Sequence, residues 1–145
     1  MTNTYPSFKQ HYTNSFTNML RWHQLDELWA NVKNNAEGWY IYLIGNTVPD
    51  TTVTPEELYQ FIQEVNELLH REHDYDYCGI VYADNKESPL MIKIFDPSNL
   101  GSVCGCSGQV IPPRWLLTRI PPEAITDNTI IPANRIRWWQ RLFRR

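Results

Sequence analysis

Apolar residues between positions 58 and 69 recur at helical spacing. Leu58, Phe61, Ile62, Val65, Leu68 and Leu69 share one face. The start of that helix is written just upstream. Thr54 is a capping residue, Pro55 suits the first helical position, and Glu57 completes a capping box. A second helical pattern runs through Phe16, Met19, Leu25, Leu28, Trp29 and Val32. Ser15 is placed to cap it, and Asn34-Asn35 before Gly38 should end it.

The remaining apolar stretches are short, β-branched and aromatic. Residues 39–44, Trp-Tyr-Ile-Tyr-Leu-Ile, predict a strand covered on both faces and ended by Gly45-Asn46. Residues 77–83 and 90–95 predict the two arms of a hairpin around Asp84-Asn85-Lys86-Glu87-Ser88. Asp96-Pro97 stops the second arm, and residues 97–113 read as a long loop. Residues 114–120 lie between two Pro-Pro pairs, which favours an edge strand or an extended segment. Residues 121–134 read as irregular, and 135–144 as a short terminal helix. The order is neither strictly alternating nor all-β. It predicts one α+β domain over residues 1–145, with a small antiparallel or mixed sheet of three or four strands that includes the 77–95 hairpin. Helices should pack on one face, with a short C-terminal helix. Residues 1–12 read as an arm.

Composition narrows the class. Of 145 residues, 42% are hydrophobic and 20% charged, which excludes a disordered chain. No apolar run is long enough for a transmembrane helix. The N-terminus has neither a basic region nor an apolar stretch after it, so no secretory signal is expected. Three cysteines, an odd number, with no Asn-x-Ser/Thr sequon, suggest a reducing cytoplasm.

The net charge of −3 hides a dipole. Five of the thirteen basic residues, Arg135, Arg137, Arg141, Arg144 and Arg145, lie in the last eleven positions, giving +5 there and −8 before them. Glu56, Glu57, Glu64, Glu67, Glu72, Asp74 and Asp76 are opposed locally only by Arg71. Such a body repels phosphate, so nucleic acid is not an expected partner except through the tail. On a terminal helix, Ile136, Trp139, Leu142 and Phe143 share a face, with Trp138 at its edge. Arg135, Arg137, Trp138, Trp139, Arg141 and Phe143 are therefore candidate partner-binding residues. The segment can dock on its own acidic body, on a partner subunit, on an anionic membrane surface or on nucleic acid.

Candidate chemistry is confined to one small cluster. Cys104 and Cys106 flank Gly105, and together with Cys78 and His73 they make a zinc-type donor set. The one-residue gap between thiols is shorter than a zinc site normally uses. The same pair can instead form a small strained disulfide. Gly101, Gly105 and Gly108 offer backbone N–H groups to an anion, but no P-loop lysine follows. Glu67 and His70 have the spacing of a di-iron motif in a single copy, and read as a solvated helix end. His11 and His23 have no recognisable partner. No cofactor is indicated beyond the zinc that the thiols allow, and no catalytic motif is present. Tyr5, Tyr12, Tyr75 and Tyr77 lie in polar surroundings and suggest a surface made to meet a protein. The expected function is that of an accessory or regulatory protein acting through a protein partner or self-association as a homo-oligomer. The alternative is a thiol or metal protein centred on Cys104 and Cys106.

Overall fold

The computed structural model describes residues 6–98, 112–125 and 131–143. Its elements run α1 (Phe8–Tyr12), β1 (Thr17–Asn18), α2 (Trp22–Lys33), β2 (Tyr40–Leu43), α3 (Pro55–Glu72), β3 (Val81–Ala83), β4 (Met91–Ile94), β5 (Trp115–Thr118) and α4 (Ala133–Leu142). The strands form one sheet in the order β1-β3-β4-β5-β2, and every neighbouring pair is antiparallel. The chain is an α+β protein with a mostly antiparallel sheet and a short C-terminal helix, as the residue pattern predicts.

The register explains the core. Ile41, Leu117, Ile92 and Ala83 are successive partners across the sheet, and so are Leu43, Trp115, Ile94 and Val81. Strand side chains alternate between faces, so these two rows point the same way. Against them pack Leu25, Leu28, Trp29 and Val32 of α2, the apolar face of α3, and Trp138 of α4. The opposite face carries Tyr42, Ile44, Met91, Leu116 and Ile120, and Phe8 of α1 covers them. Residues 6–12, part of the stretch 1–12 read as an arm, therefore lie against the sheet. One buried phenylalanine ties them down.

Helix α3 begins as predicted. The Thr54 hydroxyl accepts from the Glu57 N–H at 3.1 Å, and the Glu57 carboxylate accepts from the Thr54 N–H at 2.9 Å. Helix α2 begins seven residues later than Ser15, at Trp22. The backbone upstream is used by the sheet instead. Met19 N–H donates to Val81 O at 2.8 Å, and Cys78 and Gly79 donate to Leu20 and Met19 at 2.8 and 2.9 Å. Phe16 and Met19 consequently lie on opposite faces of the sheet, whereas a helix would place them together.

The hairpin forms with shorter arms. Asp84 organises its turn, its Oδ1 accepting from Asn85, Leu90 and Met91 N–H groups at 2.8, 3.0 and 3.2 Å. Strand β5 is the second departure. It lies inside the sheet between β4 and β2, with all four residues buried. The flanking prolines do not exclude it, because they fall outside the residues that must donate to the ladder.

Replacing Phe61, fully buried beneath α4, by alanine should cost about 3–5 kcal/mol in urea unfolding. Replacing the exposed Leu20 should leave stability within about 0.5 kcal/mol. Equal effects would show that α3 does not pack the core in this way.

Candidate functional site

The basic C-terminal helix is locked to its own body. Asp96, just past β4, has a fully buried carboxylate. Arg135 of α4 reaches it twice, Nε to Oδ2 and Nη2 to Oδ1, both at 2.9 Å. The same guanidinium meets Glu72 at the end of α3, Nη2 to Oε1 at 2.6 Å and Nη1 to Oε2 at 3.1 Å. Arg114 adds a third contact, Nε to Asp96 Oδ2 at 3.0 Å. Burial alone would raise the Asp96 carboxyl, but bonds from Arg135 and Ser98 hold it far below the usual carboxylate range. Burial likewise works against the charge on Arg135, and its bonds to Asp96 and Glu72 more than offset that.

This clamp redistributes the predicted partner-binding residues. Arg135 and Trp138 are buried, so they join the helix to its own fold and are not offered to a partner. Trp138 meets Phe61 and Trp115 at centroid distances of 6.1 and 5.4 Å. Trp139 and Phe143 are partly buried on Phe61, and with Ile41, Val48 and Val53 they line a cavity of about 290 Å³. Ile136, grouped by its spacing with Trp139, Leu142 and Phe143, is 37% exposed, while the helix turns Arg135 inward to reach Asp96. Arg137 and Arg141 are exposed, with no acidic partner among the described residues.

The proposed metal set is only half placed. Cys104, Cys106, Gly101, Gly105 and Gly108 lie outside the described residues. His73 and Cys78 do come together, but through the Cys78 backbone: the His73 Nε2 is 2.7 Å from its carbonyl oxygen. The Cys78 thiol is buried and burial pushes its pKa up, which favours the thiol over the metal-binding thiolate. Among the described residues no three His, Cys, Asp or Glu side chains form a metal-holding group. Among the same residues no helix is long and apolar enough to cross a membrane.

A constellation not read from the pattern surrounds His73. Trp22 stacks on His70 at 3.9 Å, and its indole donates to Tyr75 O at 2.9 Å. Tyr75 stacks on Tyr77 at 5.6 Å, and both rings contact His73. Tyr75 and Tyr77 remain 58% and 49% exposed, and Leu20, whose carbonyl accepts from Cys78, is 55% exposed. His70 is thus part of an aromatic surface and not simply a solvated helix end. A separate groove lies between α2 and α3 over Trp29, Ala30, Tyr59, Ile62 and Asn66. Tyr75 and Tyr77 were legible as candidates. Trp22 and Leu20 were not, because only the start of α2 and the β1–β3 pairing bring them there.

Tyr12 has a different role. Its carbonyl oxygen accepts from Lys93 Nζ at 2.6 Å, and the ammonium lies 4.3 and 4.1 Å from the centroids of Tyr12 and Phe16. Burial lowers the Lys93 pKa. His11 Nε2 lies 2.7 Å from Asp84 Oδ2. The pair resembles a catalytic base and its orienting acid, but Asp84 Oδ1 is committed to the hairpin turn. These contacts fasten α1 and the segment after it across the sheet.

Asp96→Asn should cost about 3–5 kcal/mol at neutral pH, since it leaves the buried Arg114 without its carboxylate and Arg135 with Glu72 alone. A carboxylate with a depressed folded pKa contributes stability above its unfolded pKa, about 3.9, and loses it as pH falls toward the folded value. Parent stability should therefore drop steeply below about pH 4, and the variant's should drop less. Parallel acid profiles would contradict this assignment.

No family model matches the chain, and neither a curated protein nor a solved structure is found to be similar to it.

Proposed function

We propose that this chain is a non-enzymatic accessory or regulatory protein that binds another protein chain through the surface formed by Leu20, Trp22, His70, Tyr75 and Tyr77. The observation that carries this reading is the Tyr75–Tyr77 pair, stacked at 5.6 Å while each ring stays about half exposed. Aromatic rings left in water cost free energy that a partner recovers by covering them. These rings are already fixed by their neighbours, by the His73 ring and by the bond from Trp22 to the Tyr75 carbonyl. Little rotamer freedom remains to be lost on binding, which favours affinity. Tyr and Trp are also the residues most enriched where proteins meet. A cytoplasmic setting fits the buried free thiol of Cys78. The reading requires no cofactor.

The test is a photo-crosslinking amino acid placed at Tyr77 in cells. A discrete adduct is expected, and Tyr75→Ala and Leu20→Asp should each reduce it at least about tenfold if these side chains are energetic centres of the contact. No adduct, or an adduct insensitive to both substitutions, would sink the reading.

A further inference from the structure

We infer that the occupant of this aromatic surface is the outer face of α4 from a second copy of the chain, in a two-fold dimer. The inference rests on the binding role proposed above and names the partner for that surface. Two unsatisfied charge patterns carry it. Asp74 and Asp76 are exposed on either side of Tyr75, and neither has a cationic partner among the described residues. Arg137 and Arg141 are exposed one helical turn apart, equally unpaired, with Ile136 37% exposed beside them. Side chains four apart on a helix are neighbours on one face, so both guanidiniums are presented on the same side of α4.

The chemistry of the two faces is complementary. A guanidinium stacks on an aromatic ring and donates in its own plane to a carboxylate, so an arginine can satisfy a tyrosine and an aspartate together. Ile136 supplies apolar cover of the kind that exposed Leu20 requires. Within one copy these groups do not meet. The clamp to Asp96 and Glu72 turns Arg135 inward, and this leaves Arg137 and Arg141 facing solvent.

The geometry favours closure over chain growth. The Arg135–Glu72 ion pair sets the start of α4 beside the end of α3, immediately before Asp74–Tyr77. The helix that carries the donor face and the acceptor surface therefore adjoin on one molecule. A two-fold axis beside that ion pair lets each copy give its α4 and receive its partner's at once. Such isologous contacts close as a dimer. Because exposed charges contribute much of the contact, the association should weaken as salt rises.

The test is sedimentation equilibrium of the full chain, whose single copy is 17.2 kDa, over a roughly hundredfold concentration range in low salt. A dimer is expected, with a dissociation constant that rises at least about tenfold between 0.05 and 0.5 M salt. Arg137→Glu with Arg141→Glu should abolish it, and so should Asp74→Arg with Asp76→Arg. Mixed together, the two charge-reversed proteins should form a heterodimer, because both contacts are then complementary again. All four positions are exposed, and unchanged circular dichroism would confirm that the variants fold. Should a double variant unfold, Arg141→Ala alone should weaken the parent dimer by about five- to tenfold.

A monomer at every concentration, or a dimer indifferent to these substitutions, would overturn the inference. So would a mixture that stays monomeric although each variant is folded. The outcomes separate this inference from the wider proposal. A Tyr77 crosslink to a different protein, with a monomeric chain, retains the binding surface and removes the self-partner. A missing crosslink together with a monomer removes both.

Discussion

The buried carboxylate of Asp96 is the constraint on which the rest of this architecture depends. It lies at the end of a central strand with no access to water, and two guanidiniums meet it there. A lone buried carboxylate would cost several kcal/mol and would take up a proton instead. Here Arg135 arrives from a helix 39 positions further along the chain, and Arg114 from the start of β5. One acid thus joins β4, β5 and α4, and the same Arg135 draws in the end of α3 through Glu72. Ion pairs of this kind add little net stability over an apolar replacement. Their geometry fixes the start of α4 against the end of β4 and the end of α3.

That docking has consequences on both sides of the helix. Inward, Trp138 fills the space between Phe61 and Trp115, and the C-terminal end of α4 covers the edge of the core. Outward, the rotation that brings Arg135 to Asp96 exposes Ile136, Arg137 and Arg141. The same ion pair holds the acidic end of α3, and Trp22 and His73 hold the tyrosines after it. A positive face and an aromatic, acidic face are presented rigidly next to each other. Preorganisation of this kind limits the entropy lost on association, which matters when the contact is small.

The second face of the sheet is closed by a different set of forces. Tyr42, Met91 and Leu116 would be an exposed apolar patch without α1. Phe8 covers them, and two polar contacts hold the segment down: His11 on Asp84, and Lys93 on the Tyr12 carbonyl and rings. Lys93 stands in the same row as Leu116 and Tyr42, so a strictly apolar alternation would have failed there. Its ammonium is tolerated because an oxygen and two ring faces replace the water it loses.

The residue pattern alone settled the features whose causes are local. The capping box of Thr54 and Glu57 and the stripe from Leu58 to Leu69 specify α3, because a helix is built from contacts three and four residues apart. Alternation and turn residues specify the hairpin and the α+β class for the same reason. The dipole of the chain was also visible, since it is a count. Long-range pairing decided the rest. The true start of α2 depends on residues 17–20 finding partners at 78–83, and the internal position of β5 depends on two strands far away in sequence. Phe8 is tied down only because Tyr42 and Leu116 need cover. Arg135 is a core residue only because the buried Asp96 and the carboxylate of Glu72 stand where its helix lands. Each of these separates cause from effect by tens of residues. The free energy that selects them comes from burial and charge pairing in the assembled fold, for which a local pattern carries no record.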